Sequence, residues 1–117
     1  MSPIETIIWH NPRCSKSRQT LALLHDRGID PTVVDYQKTP PSASELTKVI
    51  AALGGCAHDI IRTKETLYRK LGLTAKMRAD ELIAAMTAHP KLIERPIVIH
   101  GTRAALGRPP EQVLDLF

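Results

Sequence analysis

Aromatic side chains are scarce in this chain: its 117 residues include one Trp, one Phe and two Tyr. Binders of single-stranded nucleic acid stack bases on aromatic faces set among clustered cations. Neither device is present, because 16 Lys and Arg stand against 12 Asp and Glu, a net +4 without a long basic block. No nucleic acid is therefore expected as a partner. Cysteine is equally sparse. Cys14 and Cys56 lie far apart and form no disulfide framework, so a reducing, cytoplasmic compartment is expected. Long apolar runs are missing too, and no membrane association is expected. An apparent strand starts within a few residues of Met1, so no signal or transit peptide is expected. The five histidines are scattered without metal-ligand spacing, so no metal site is expected.

What remains suits a soluble globular protein, with 43% hydrophobic and 24% charged residues. The length supports one core without disulfide or metal staples, and a single domain over residues 1–117 is expected. The modest cationic excess suits a small anionic substrate.

Ile4 to Trp9 is a compact apolar run, the pattern of a strand buried on both faces, and Asn11-Pro12 breaks it. Ser15 to Arg27 reads as a helix with Leu21, Ala22 and Leu24 on its apolar side and Gly28 as its stop. Thr32 to Tyr36 is β-branched and reads as a second strand. Strand, helix and strand together predict a parallel pair with a right-handed crossover. Ser42-Ala43-Ser44-Glu45 is a capping-box pattern before Leu46, Val49, Ile50 and Leu53, and Gly54-Gly55 ends that helix. Short helices are expected over Asp59–Thr63, Glu65–Leu71 and Asp80–Ala88. Ile97 to Ile99 reads as a strand that turns at His100-Gly101-Thr102 and returns antiparallel over Arg103 to Leu106. A final helix is expected from Pro109-Pro110-Glu111 to Phe117.

The residues that carry chemistry lie where the first strand gives way to the first helix, in His10-Asn11-Pro12-Arg13-Cys14-Ser15-Lys16-Ser17-Arg18. A thiol beside the exposed N–H groups of a helix start feels the positive end of its dipole, and nearby arginines add to that field. Both favour the reactive thiolate. Position 17 is serine, so Cys-x-x-Ser replaces the Cys-x-x-Cys of a dithiol centre, and no neighbouring cysteine can resolve an adduct on Cys14.

Three segments in order resemble the glutaredoxin-linked arsenate reductase family. They are His10-Asn11-Pro12-x-Cys14-x-x-Ser17-Arg18, Glu94-Arg95-Pro96-Ile97-Val98 and Gly107-Arg108-Pro109-Pro110-Glu111. The likeness covers essentially the whole chain, including the Pro40-Pro41 break. The chain reads as a short-form member that stops after the last family helix. The resemblance implies an α/β, thioredoxin-like fold, β-α-β and β-β-α, with a helical insertion over about 42–90. It implies Cys14 as nucleophile, and Arg62, Arg95 and Arg108 as the arginines that bind arsenate and its products. It also implies His10 as the histidine that tunes the thiol and Pro96 as a cis-proline opposite it. Glutathione is the implied thiol cosubstrate and glutaredoxin the implied protein partner. No bound cofactor is expected, and a small domain of this kind is expected to act as a monomer.

These residue types fit that chemistry. Arsenate is a tetrahedral oxyanion, and guanidinium forks bind such oxygens through charge-assisted hydrogen bonds. The same positive field lowers the thiol pKa, so one arrangement serves substrate and nucleophile. Ser17 offers a hydroxyl that can donate to the thiolate.

Plainer readings stand beside these. Cys14 can be a small buried hydrophobe, Cys56 an incidental cysteine after two glycines, and His10 a strand-end residue. Arg13, Lys16 and Arg18 oppose the helix dipole, as solvated side chains or as groups facing an anion or partner. Two other functions compete: an Spx-like adaptor that binds RNA polymerase, and a monothiol oxidoreductase acting on another substrate such as a glutathione mixed disulfide. The first typically carries the Cys-x-x-Cys that this chain lacks.

Overall fold

The computed structural model describes residues 4–117. Four strands form its sheet: β1 (Thr6–His10), β2 (Thr32–Asp35), β3 (Ile97–His100) and β4 (Arg103–Leu106), in the spatial order β2-β1-β3-β4. β1 runs parallel to β2, with Ile7 opposite Thr32 and His10 opposite Asp35. It runs antiparallel to β3, with Trp9 opposite Ile97, and β3 runs antiparallel to β4.

Alternation along the strands sorts side chains into two cores. Ile8 of β1 and Val98 of β3 face one side, where Leu24 of α1 (Ser15–Asp26) joins Val113 and Leu116. Their neighbours Trp9 and Ile97 face the other side. There Leu46 and Val49 of α2 (Ala43–Leu53) and Leu82, Ile83 and Met86 of α4 (Ala79–Ala88) complete a larger core. α3 (Thr66–Lys70) is a short element of the same insertion. The expected capping box forms: Ser42 Oγ accepts the Glu45 N–H, and Glu45 Oε1 accepts the Ser42 N–H, each at 3.1 Å. Gly54 ends α2 at φ +77°, where a side chain would be strained. This is the thioredoxin-like arrangement, with the helical insertion between β2 and β3.

Three elements differ from expectation. β2 stops at Asp35 rather than Tyr36, because the Asp35 carbonyl accepts the Lys38 and Thr39 N–H groups while its carboxylate takes that of Gln37. An aspartate used this way closes a turn in place of strand pairing. The helix expected over Asp59–Thr63 is a 3-10 turn at Ala57–Ile60, after which the chain extends. Ile61 pairs with Ile93, and the Arg62 N–H donates to the Leu92 carbonyl at 2.8 Å. The last helix is 3-10 over Pro110–Leu116: two prolines open it, and Arg103 binds its Asp115 carbonyl at 3.1 Å.

Candidate active site

Topology gathers the candidate residues at one end of the sheet. β1 and β2 are parallel and finish together, so Cys14 follows the end of β1 and Tyr36 the end of β2. β3 starts at that same end, which puts Arg95 and Pro96 beside them. β4 finishes there, two residues before Arg108. The Arg95–Pro96 and Arg108–Pro109 peptide bonds are both cis. Gly107 fits where nothing larger does: a Cβ on it would lie 2.5 Å from Thr20 Oγ1 and 2.7 Å from Pro96 Cγ. Its N–H donates to the Pro96 carbonyl at 2.9 Å. The Arg95 and Arg108 segments are thus stitched to each other and to α1.

Cys14 occupies the N-cap position of α1 in extended geometry, φ −96° and ψ 124°, and is partly exposed. Burial pushes its thiol up, but the combined opposing effects win and the pKa falls below the ordinary value. The N–H groups of Ser17 and Lys16 favour the anion although the neutral thiol closes no capping hydrogen bond. Arg95 and Arg108 contribute through their charge. A helix start and two guanidinium groups therefore act on one sulfur.

His10 and Ser17 form the buried layer beneath. Ser17 Oγ lies 2.6 Å from His10 Nδ1 and accepts the Asn11 N–H at 3.0 Å. Burial lowers the His10 pKa, opposed by Asp35 and reinforced by Arg18, so the imidazole is neutral at neutral pH. The Ser17 hydroxyl is engaged with His10 and Asn11; its backbone N–H, not its hydroxyl, faces the thiol. His10 is not among the groups that move the Cys14 pKa directly; it fixes the loop through Ser17.

The arginines are tethered to carboxylates and backbone carbonyls. Arg108 donates to the Arg95 carbonyl at 3.2 Å, and Arg95, whose side chain is 15% exposed, pairs with Glu94 at 3.3 Å. Arg62 pairs with Glu65 at 3.3 Å and donates to the Lys91 carbonyl at 3.2 Å. Arg62 lies within electrostatic reach of Tyr36, as do Arg95 and Cys14, but it is absent from the groups that act on the thiol.

A family model described as the ArsC family matches residues 9–116. The chain belongs to the ArsC family. It is 45% identical over 116 residues to the arsenate reductase of Haemophilus influenzae, covering 97% of this chain and all of that one. It is 50% identical over 111 residues to the uncharacterized protein YfgD of Escherichia coli K12, covering 93% of each. The solved arsenate reductase of Vibrio cholerae superposes with a TM-score of 0.94 at 48% identity, over 99% of this chain and all of that one.

Four side chains at this ArsC-family site escaped the sequence reading: Asp35, Tyr36, Glu65 and Glu94. Asp35 and Tyr36 read as ordinary strand residues. The two glutamates had a legible signal, since each is within three residues of a candidate arginine. Two grooves, of about 420 and 510 Å³, lie elsewhere. The smaller includes Cys56, Asp59 and Arg103, the larger Trp9, Val49 and Ile99, and neither lining includes Cys14. Among the described residues no helix is long and apolar enough to cross a membrane, and no three His, Cys, Asp or Glu side chains converge on a metal position.

Proposed function

We propose that the protein is an arsenate reductase that uses glutathione and glutaredoxin. The observation that carries this reading is the place of Cys14 at the start of α1, where the Ser17 and Lys16 N–H groups and the charges of Arg95 and Arg108 all favour the thiolate. The relatives named arsenate reductase support the same substrate. Arg62, Arg95 and Arg108 bind the oxyanion, exchanging Glu65, Glu94 and backbone carbonyls for its oxygens. The Cys14 thiolate attacks arsenic, an oxygen leaves as water, and a sulfur–arsenic bond forms. Position 17 supplies no second thiol, so glutathione attacks the adduct from solution. The electron pair of the two thiols passes to arsenic, giving arsenite and one disulfide, which glutaredoxin then reduces. Overall, arsenate and two thiols become arsenite, one disulfide and one water.

A coupled assay with arsenate, glutathione, glutaredoxin and a nicotinamide-linked glutathione reductase tests this. Arsenate-dependent oxidation of the nicotinamide is expected with the wild type and is lost in Cys14→Ser. Turnover retained by Cys14→Ser, or absent from the wild type, overturns the reading.

A further inference from the structure

Tyr36 is fully buried, yet its hydroxyl oxygen has no hydrogen-bond partner. Gln37 is near enough to favour the phenolate slightly but reaches no acceptable hydrogen-bond geometry. A buried donor without an acceptor carries its whole desolvation penalty, which phenylalanine of the same shape would avoid. Packing therefore accounts for the ring, which lies in the core with Trp9 and Ile97, but not for the oxygen.

The position of that oxygen supplies the missing reason. Tyr36 is the first residue beyond β2, at the sheet end where Cys14 and Arg95 also lie, and it is within electrostatic reach of Arg95, Arg62 and Cys14. A second orphan belongs to the same neighbourhood, since Arg95 Nε is buried and unpartnered as well. Both orphans can donate. A group that accepts several hydrogen bonds and donates few would satisfy them together, and a tetrahedral oxyanion is such a group.

We propose that Tyr36 is a further substrate-binding residue, whose hydroxyl donates to an oxygen of the oxyanion held by the arginines beside Cys14. The inference rests on the oxyanion-binding reading of the site and adds a neutral donor to its charged ones. The hydroxyl is buried and Arg95 is paired with Glu94, so the contact with the anion forms as Arg95 exchanges that carboxylate for it. Burial raises the phenol pKa, which keeps its proton in place for donation. An uncharged donor adds no field at the sulfur, so binding and thiol acidity separate at this residue.

The test uses Tyr36→Phe in the full chain. The rate of Cys14 alkylation is measured against increasing inorganic arsenate, phosphate and sulfate, alongside thermal unfolding and the pH dependence of alkylation. With the wild type, at least one anion protects Cys14. In the variant the protecting concentration rises roughly tenfold or more, the loss of one hydrogen bond to a charged acceptor. Its melting temperature holds or rises, and its thiol titration does not move. Wild-type protection by the same concentrations in Tyr36→Phe overturns the inference alone. So does weaker protection accompanied by a shifted thiol titration, which signals a collapsed site. Absence of protection in the wild type by every anion overturns the inference and the oxyanion reading together.

Discussion

Arg108 donates to the backbone carbonyl of Arg95 at 3.2 Å, so the guanidinium from the end of β4 holds the segment that enters β3. Two arginines thirteen residues apart are thereby one unit. Removing the Arg108 side chain frees the Arg95 segment, whereas truncating Arg95 leaves the accepting carbonyl in place.

Their effects on arsenate turnover should consequently fail to add. Arg95→Ala and Arg108→Ala are each expected to lower kcat/KM by roughly ten- to a hundredfold, in line with a lost charge-assisted hydrogen bond. The double variant should fall short of their product, because part of the Arg108→Ala loss is the misplacing of Arg95, which an Arg95→Ala background no longer feels. A double-mutant cycle on kcat/KM measures the coupling, and strict additivity would contradict it.

Arg62 should behave differently. It acts on the neighbourhood of Tyr36 and is absent from the groups acting on the thiol. Arg62→Ala is expected to raise KM for arsenate while leaving the pH dependence of Cys14 alkylation where it was. A shifted alkylation profile would place Arg62 closer to the sulfur than this geometry allows.

Ser17 carries a structural load that a surface serine would not. Its hydroxyl serves both His10 Nδ1 and the Asn11 N–H in a buried layer. Ser17→Ala leaves both without a partner and should cost about 1–3 kcal/mol of stability. Urea unfolding measures this, and an unchanged midpoint would show that water replaces the hydroxyl.

The pH dependence of stability follows from His10. Its folded pKa lies below the ordinary 6.5, chiefly through burial. Between those two values the unfolded chain binds a proton that the native fold refuses. Stability must then fall as pH drops through that window, and level off below the folded pKa. A variant such as His10→Gln should flatten the slope of unfolding free energy over the same range. An equal slope in the variant would assign the effect to another group.

Gly107 offers a test of how the two arginine segments are held. Gly107→Ala drives a methyl group into Thr20 and Pro96 and should cost about 1–3 kcal/mol, with KM for arsenate raised at the same time. Stability loss without a change in KM would mean that the strain relaxes away from the site.

Local chemistry made much of this legible beforehand. The capping box at Ser42, the glycine stop at Gly54, the β-branched strands and the Cys-x-x-Ser loop each follow from near neighbours in sequence. The insertion read less well. The segment after Ile60 is shaped by pairing with Leu92 and Ile93, some thirty residues away, and no local pattern reports such a partner. The helix expected there gives way to an extended stretch that carries Arg62. Tyr36 escaped notice for a related reason. Its residue type says strand and core, and only the missing hydrogen-bond partner of its hydroxyl marks it out.

The pH titration of Cys14, followed by alkylation rate in the wild type and in Arg95→Ala, tests the central claim most directly. The account predicts a wild-type midpoint below that of an ordinary cysteine thiol, moving up when the guanidinium is removed. A midpoint at or above the ordinary value, unmoved in the variant, would contradict it.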